Sequence, residues 1–172
     1  MISLPTQQGQ LRWWEKRAWR EYAQTLFRLF SRKRTYSLVF TARYGAAAVI
    51  PEQKLVFVNP EFEAAAQDSV IRELPPTPYG YRVAMLQGFL AHEAAHVRYS
   101  GAKPAGKLGW LWNALEDERI ERLMASEFPE VAPHFTLLGD VFSEAGQAQW
   151  TGSTLEGCLV YRWEHDRPGV PQ

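Results

Sequence analysis

Apolar side chains recur at Trp14, Ala18, Tyr22, Leu26 and Leu29 within "QLRWWEKRAWREYAQTLFRLFS". That roughly helical period predicts a basic amphipathic helix over 10–34, closed by "SRKR". From residue 35 the pattern changes. "TYSLVFTARY" and "KLVFVN" are rich in β-branched and aromatic residues, with "AAAVI" and a "PEQ" turn between them. Residues 35–59 therefore read as a small sheet of two or three antiparallel strands. "PEFEAAAQDSVIREL" returns to a short helical pattern, and "PPTPYG" breaks it before the next element. Two long helices follow at 81–99 and 109–127, joined by the loop "SGAKPAGKLG", the second stopped by Pro129. Helical stretches near 131–145 and 153–165 complete the pattern as C-terminal helices over 131–165, and "DRPGVPQ" reads as a frayed tail or the start of a linker. Helix, small sheet, then helices is the order of an α+β domain, with 1–172 as a single unit.

Length and composition narrow the class without naming a function. A chain of 172 residues can bury a hydrophobic core as one domain. The single cysteine, Cys158, excludes an internal disulfide framework and any cysteine-based zinc cluster. It reads as a small core residue, and a reducing cytoplasm is the simplest compartment. The start "MISLPTQQGQLRWW" lacks a basic region followed by an apolar run, and no stretch approaches the roughly 20 apolar residues of a membrane span. A soluble, cytoplasmic protein with no membrane partner is the expectation.

Charge balances overall but not locally. Arg12, Lys16, Arg17, Arg20, Arg28, Arg32, Lys33 and Arg34 crowd the first segment, opposed there only by Glu15 and Glu21. A basic, tryptophan-rich helix could touch nucleic acid or an acidic partner. An aromatic face packed on the domain with a solvated basic face explains the same residues more simply, so nucleic acid is not an expected partner.

The chemistry gathers in "FLAHEAAHVRYSG". Residues four apart lie one above the other on a helix, so His92 and His96 can both reach one ion. Zinc takes imidazole nitrogen and, where catalytic, three protein ligands plus a water whose pKa it lowers to about 7. Glu93, about 100° around the helix, can reach that water as general base. Met85, Leu86, Phe89, Leu90 and Val97 make this helix strongly apolar, and ionisable groups on a largely buried helix need partners.

A third ligand is sought on the following helix, in "NALEDERIE". With Trp112, Leu115, Ile120 and Leu123 taken as the inward face, Glu116 falls near its middle and Asp117 toward its edge. Glu116 is thus the favoured metal ligand. Asp117 is a supporting residue accepting the free N–H of a ligand histidine, with the two roles open to exchange. Glu118, Glu121 and Arg122 read as a solvated face.

His92-Glu93-x-x-His96 followed about twenty residues later by a helical glutamate resembles the gluzincin branch of the zincin metallopeptidases. The string "HEAAHVRYSG…LWNALEDERIE" is similar to the metallopeptidase-like segment of the cobaltochelatase T-subunit-like proteins, across roughly residues 85–126. Those proteins often continue into a von Willebrand A domain and work beside MoxR-type ATPases. The resemblance implies a mostly helical, minimal zincin-like domain with a small antiparallel sheet before the histidine helix. It implies Zn2+ held by His92, His96 and Glu116, with Glu93 as general base. Hydrolysis of a peptide or protein substrate follows, the strand ending "KLVFVN" lying beside the cleft so that an extended peptide can add to it. It also implies a possible MoxR-type ATPase partner. The alternative is a zinc-stabilised scaffold or regulatory subunit of an ATPase or chelatase assembly, without turnover. This chain carries no Asp-x-Ser-x-Ser motif and has no room for a von Willebrand domain, which weakens the case for the ATPase more than for the zinc site.

Other signals carry less. "GAKPAGKL" nearly matches a phosphate-cradling loop but ends in leucine where magnesium needs a hydroxyl, and it follows a helix rather than a strand. Candidates for stabilising an oxyanion are His134, Tyr161, His165 and Arg119, none favoured by its neighbours.

Overall fold

The structure, a computed structural model, describes residues 13–41, 46–60, 78–102, 104 and 107–147. A short 3-10 turn at Trp13–Glu15 leads into α1 (Arg17–Ser31). The inward side of α1 is Ala23, Phe27 and Phe30, whereas Tyr22 and Leu29, read from the sequence as part of the apolar face, stand at the surface. The buried residues follow the helical period equally well, and the two phenylalanines decide which face wins.

Strands β1 (Ser37–Phe40), β2 (Ala47–Ile50) and β3 (Leu55–Val58) form one sheet in the order β1-β3-β2. The expectation of an antiparallel sheet is half met. β2 and β3 form an antiparallel hairpin turned by Pro51–Gln53 and by Lys54, whose φ of 53° lies in the left-handed region. β1, however, runs parallel to β3, because β3 returns into the middle of the sheet and leaves β1 and β2 as its edges. β3, the "KLVFVN" strand, therefore has neighbours on both sides and no free edge. The β1 edge is shielded by α1: the Gln24 amide donates to the Tyr36 carbonyl (3.2 Å) and accepts from the Leu38 N–H (3.0 Å).

α2 (Pro78–Tyr99) is the central element. It packs against α1, against α3 (Lys107–Glu127) and α4 (Ala132–Gln147), and beneath β2 and β3. A helix apolar around most of its circumference is stable only when so surrounded. Met85, Leu86, Phe89 and Leu90 are buried with Ala91, Ala94 and Ala95, whose small side chains admit the neighbouring elements closely. Val56 and Val58 of β3, Ile120 and Met124 of α3, and Val131, Phe135, Leu138 and Val141 of and beside α4 complete the same core. The mostly helical α+β class is as expected. Among the described residues, no helix is long and apolar enough to cross a membrane. The helices expected within 60–74 and 153–165, the terminal tail and residues 103, 105 and 106 of the "GAKPAGKL" loop lie outside the described residues.

Candidate metal centre

α2 presents His92 and His96 from successive turns, their Nε2 atoms 3.2 Å apart. α3 crosses beside them and brings Asp117, whose Oδ1 lies 3.1 Å from His96 Nε2 and 3.9 Å from His92 Nε2. These three donor atoms converge on one point. Zinc bonds of ~2.0–2.1 Å in a tetrahedron put donor atoms about 3.3 Å apart, so the observed spacing fits an ion without rebuilding.

The remaining atoms of each donor are tied down. His92 Nδ1 meets the Glu121 carboxylate at 2.8 Å, and His96 Nδ1 meets Ser100 Oγ at 2.9 Å. Asn113 Nδ2 donates to Asp117 Oδ2 at 2.9 Å. A carboxylate only accepts, so His92 Nδ1 carries a proton, and in the neutral ring the Nε2 lone pair faces the convergence point. Asp117 Oδ1, facing the same point, is the one buried side-chain polar atom among the described residues without a hydrogen bond. Two imidazole nitrogens and a carboxylate oxygen aimed together, one of them orphaned in the interior, are a donor set suited to a first-row divalent cation.

Electrostatics agree. Burial disfavours a charged His92 ring, yet the hydrogen bond and charge of Glu121, with the charges of Glu93 and Asp117, outweigh it and push the imidazole up from 6.5 to about 9. So much negative charge around one ring is a field for a cation. Glu93 is buried, and that burial raises its carboxyl above the ordinary range; the two histidines pull it back and Asp117 raises it further. A backbone hydrogen bond from Val49 of β2 also lowers it.

That bond locates the general-base candidate against the sheet. Asn59 N donates to the Ala46 carbonyl at 2.6 Å, so Ala46, Ala48 and Ile50 turn their backbone groups toward β3. By alternation Ala47 and Val49 turn theirs to the outer edge, where Val49 meets Glu93. A cavity of about 280 Å3 opens there, lined by Ala46, Ala47, Phe89, His92, Glu93, Asp117, Glu121 and Leu138. The strand beside the cleft is thus β2, not the "KLVFVN" strand.

The structure brings together His92, His96 and Asp117, with Glu93 on the same cavity; Glu116 is not among them. Glu116 is buried, but Arg119 grips both its oxygens at 2.7 Å, and this pairing, with a hydrogen bond from Ser100, holds its carboxyl below the ordinary range against the opposing effect of burial. Asp117, not Glu116, stands where a third donor to the histidines would be needed, and Glu121 stands behind His92. The reason is the orientation of α3. Leu115 and Leu123, taken as inward, are 45% and 39% exposed, and the helix turns Glu116, Ile120, Glu121 and Met124 inside. Glu121, read as solvated, is 5% exposed. The missed signal is the polar stripe Asn113-Asp117-Glu121 at i, i+4, i+8, which runs alongside Ile120 and Met124.

Of the oxyanion candidates, Arg119 is engaged with Glu116 and with the Tyr99 carbonyl (2.6 Å). His134 lies half-buried on α4, its imidazole lowered by burial. Tyr161 and His165 lie outside the described residues. Compared with protein-family models, curated proteins and solved structures, the chain matches none of them.

Proposed function

We propose that this protein is a zinc-dependent metallopeptidase whose ion is held by His92, His96 and Asp117. The observation that carries the reading is the convergence of those three donor atoms, with the orphaned Asp117 Oδ1 among them, on a cavity that also contains the buried Glu93. When bound, zinc supplies Lewis acidity to a water and to a substrate carbonyl. The chain's own residues supply the rest. Glu93, with its carboxyl raised by burial, accepts a proton from the attacking water and returns it to the leaving amine. The Ala47 N–H and carbonyl, turned to the outer edge of β2, hold an extended peptide as an added strand across the cavity. Phe89 and Leu138 give the cavity apolar walls that exclude water from the reacting groups. The single cysteine fits a compartment that keeps thiols reduced, and the cytoplasm is the proposed one.

The test is Glu93→Gln. The variant is expected to retain one zinc per chain by elemental analysis and to lose peptide hydrolysis by at least about 100-fold. Full hydrolysis by the zinc-loaded variant would overturn the mechanism. Equal metal content with no hydrolysis by the wild type across a diverse peptide library would instead favour a zinc-stabilised scaffold.

A further inference from the structure

The two histidines are supported in different ways. His92 Nδ1 rests directly on a carboxylate, Glu121, at 2.8 Å. His96 Nδ1 has only a hydroxyl, Ser100 Oγ, at 2.9 Å. A hydroxyl can donate or accept, so by itself it fixes neither the tautomer nor the basicity of the ring. Behind Ser100, however, stands the buried carboxylate of Glu116, which the serine hydroxyl, after Arg119, helps to hold below the ordinary carboxylate range.

We propose that Ser100 and Glu116 are positioning residues for the metal centre, a relay in which Glu116 takes the Ser100 O–H so that Ser100 Oγ must accept from His96 Nδ1–H, leaving the His96 Nε2 lone pair for the ion. The inference rests on the metal site proposed above and deepens it.

Three features hold the relay in place. Ser100 N donates to the His96 carbonyl at 3.1 Å, which keeps the serine one helical turn beyond the ring it supports. Arg119 binds Glu116 through Nε and Nη2, both at 2.7 Å, which fixes the carboxylate plane in a two-pronged grip. The same Nη2 reaches the Tyr99 carbonyl at 2.6 Å, a group that the end of α2 leaves without an intrahelical donor. Arg119 thereby ties Glu116 to the backbone immediately before Ser100. The direction of each bond is forced by chemistry: the guanidinium only donates, the carboxylate only accepts, and the hydroxyl has a single proton to give. A glutamate that is buried on the inward face of α3 yet takes no part in the donor triad thus has a defined task. It gives His96 the anionic backing that His92 receives directly.

The test measures zinc affinity by chelator competition, together with the 15N-detected tautomer of the neutral His96 ring in the metal-free protein, where no ion on Nε2 dictates it. The wild type is expected to bind one zinc and, metal-free, to hold His96 as the Nδ1–H form. Ser100→Ala should weaken binding by about 10–100-fold and shift the metal-free ring toward the Nε2–H form, whose proton Asp117 Oδ1 can accept, whereas Ser100→Thr, which keeps the hydroxyl, should restore both. Glu116→Gln, close in shape, should weaken binding in the same direction. The double variant Ser100→Ala/Glu116→Gln should lose no more than Ser100→Ala alone, because Glu116 acts through the serine. Losses that add, or a Ser100→Ala protein that binds within twofold of a zinc-binding wild type, would overturn the relay and leave the metal site standing. A wild type that binds no zinc would overturn the metal site and the relay with it.

Discussion

At the scale of single residues, the centre is a set of donors spaced as a first-row divalent cation would require. His92 and His96 approach nitrogen to nitrogen at 3.2 Å, and Asp117 presents an unbonded oxygen to the same point. Side chains so arranged are held by their outer contacts, Glu121, Ser100 and Asn113. Zinc content should therefore fall to background in Asp117→Ala, read by elemental analysis of purified protein. Glu121→Gln should keep the ion but bind it about 10–100-fold more weakly, because the ring loses a charged acceptor and not a ligand. Retention of full zinc by Asp117→Ala would remove the aspartate from the ligand set. The histidines and Glu93 were legible from spacing alone, since i and i+4 on a helix admit one geometry. The third donor was not. Adjacent Glu116 and Asp117 differ by one step around α3, and only the packing of Ile120 and Met124 against α2 decides which of the two faces the histidines.

At the scale of elements, helix type and extent were largely legible, and orientation and pairing were not. α2 and α3 begin within three residues of where the breakers "PPTPYG" and "SGAKPAGKLG" put them. The β2–β3 hairpin follows from its "PEQ" turn. The parallel neighbour β1 depends on a return of the chain through the sheet, and no local pattern encodes that. Gly88 exposes the same dependence on neighbours. A Cβ added there would lie 2.8 Å from Leu138 Cγ and 3.1 Å from the His134 carbonyl oxygen, so α2 and α4 touch at that point because the residue has no side chain. Gly88→Ala gains up to ~1 kcal/mol of helix propensity and costs about 1–3 kcal/mol in overpacking, and the backbone contact cannot yield as a side chain does. A net loss of roughly 1 kcal/mol is expected in urea unfolding. Leu138 also lines the cavity, so its displacement should narrow the substrate space as well. Combining Gly88→Ala with Leu138→Ala should cost less than the two single changes summed, since the truncated leucine makes room for the methyl.

At the scale of the whole molecule, the donor triad spans two helices, so whatever fixes α2 against α3 sets the spacing of the ligands. Part of that task falls to an ionic cluster at the helix ends. Glu127, at the end of α3, receives Arg98 and the Tyr99 hydroxyl from α2 and Arg32 from beyond α1. Arg98 is itself largely buried, donates to the Phe30 carbonyl at 3.1 Å and lies over the ring of Tyr99. Arg32 reaches the cluster from a left-handed backbone conformation, φ 54°, that ends α1. The hydrogen bond from Arg98, then that from Tyr99, lowers the Glu127 carboxyl below the ordinary glutamate value of 4.5. A carboxylate lowered on folding contributes stability that is complete above its unfolded pKa and is lost as pH falls through the folded value. The gap in thermal midpoint between wild type and Glu127→Gln should therefore be widest near neutral pH and close progressively below about pH 4, where a protonated glutamate and a glutamine are nearly equivalent. Because the same two helices carry His96 and Asp117, Glu127→Gln should also loosen zinc affinity by a few-fold near neutrality, with the difference again shrinking in acid. A gap in midpoint that stays constant from pH 7 to about pH 3 would show that the glutamate packs the helix ends without its charge mattering.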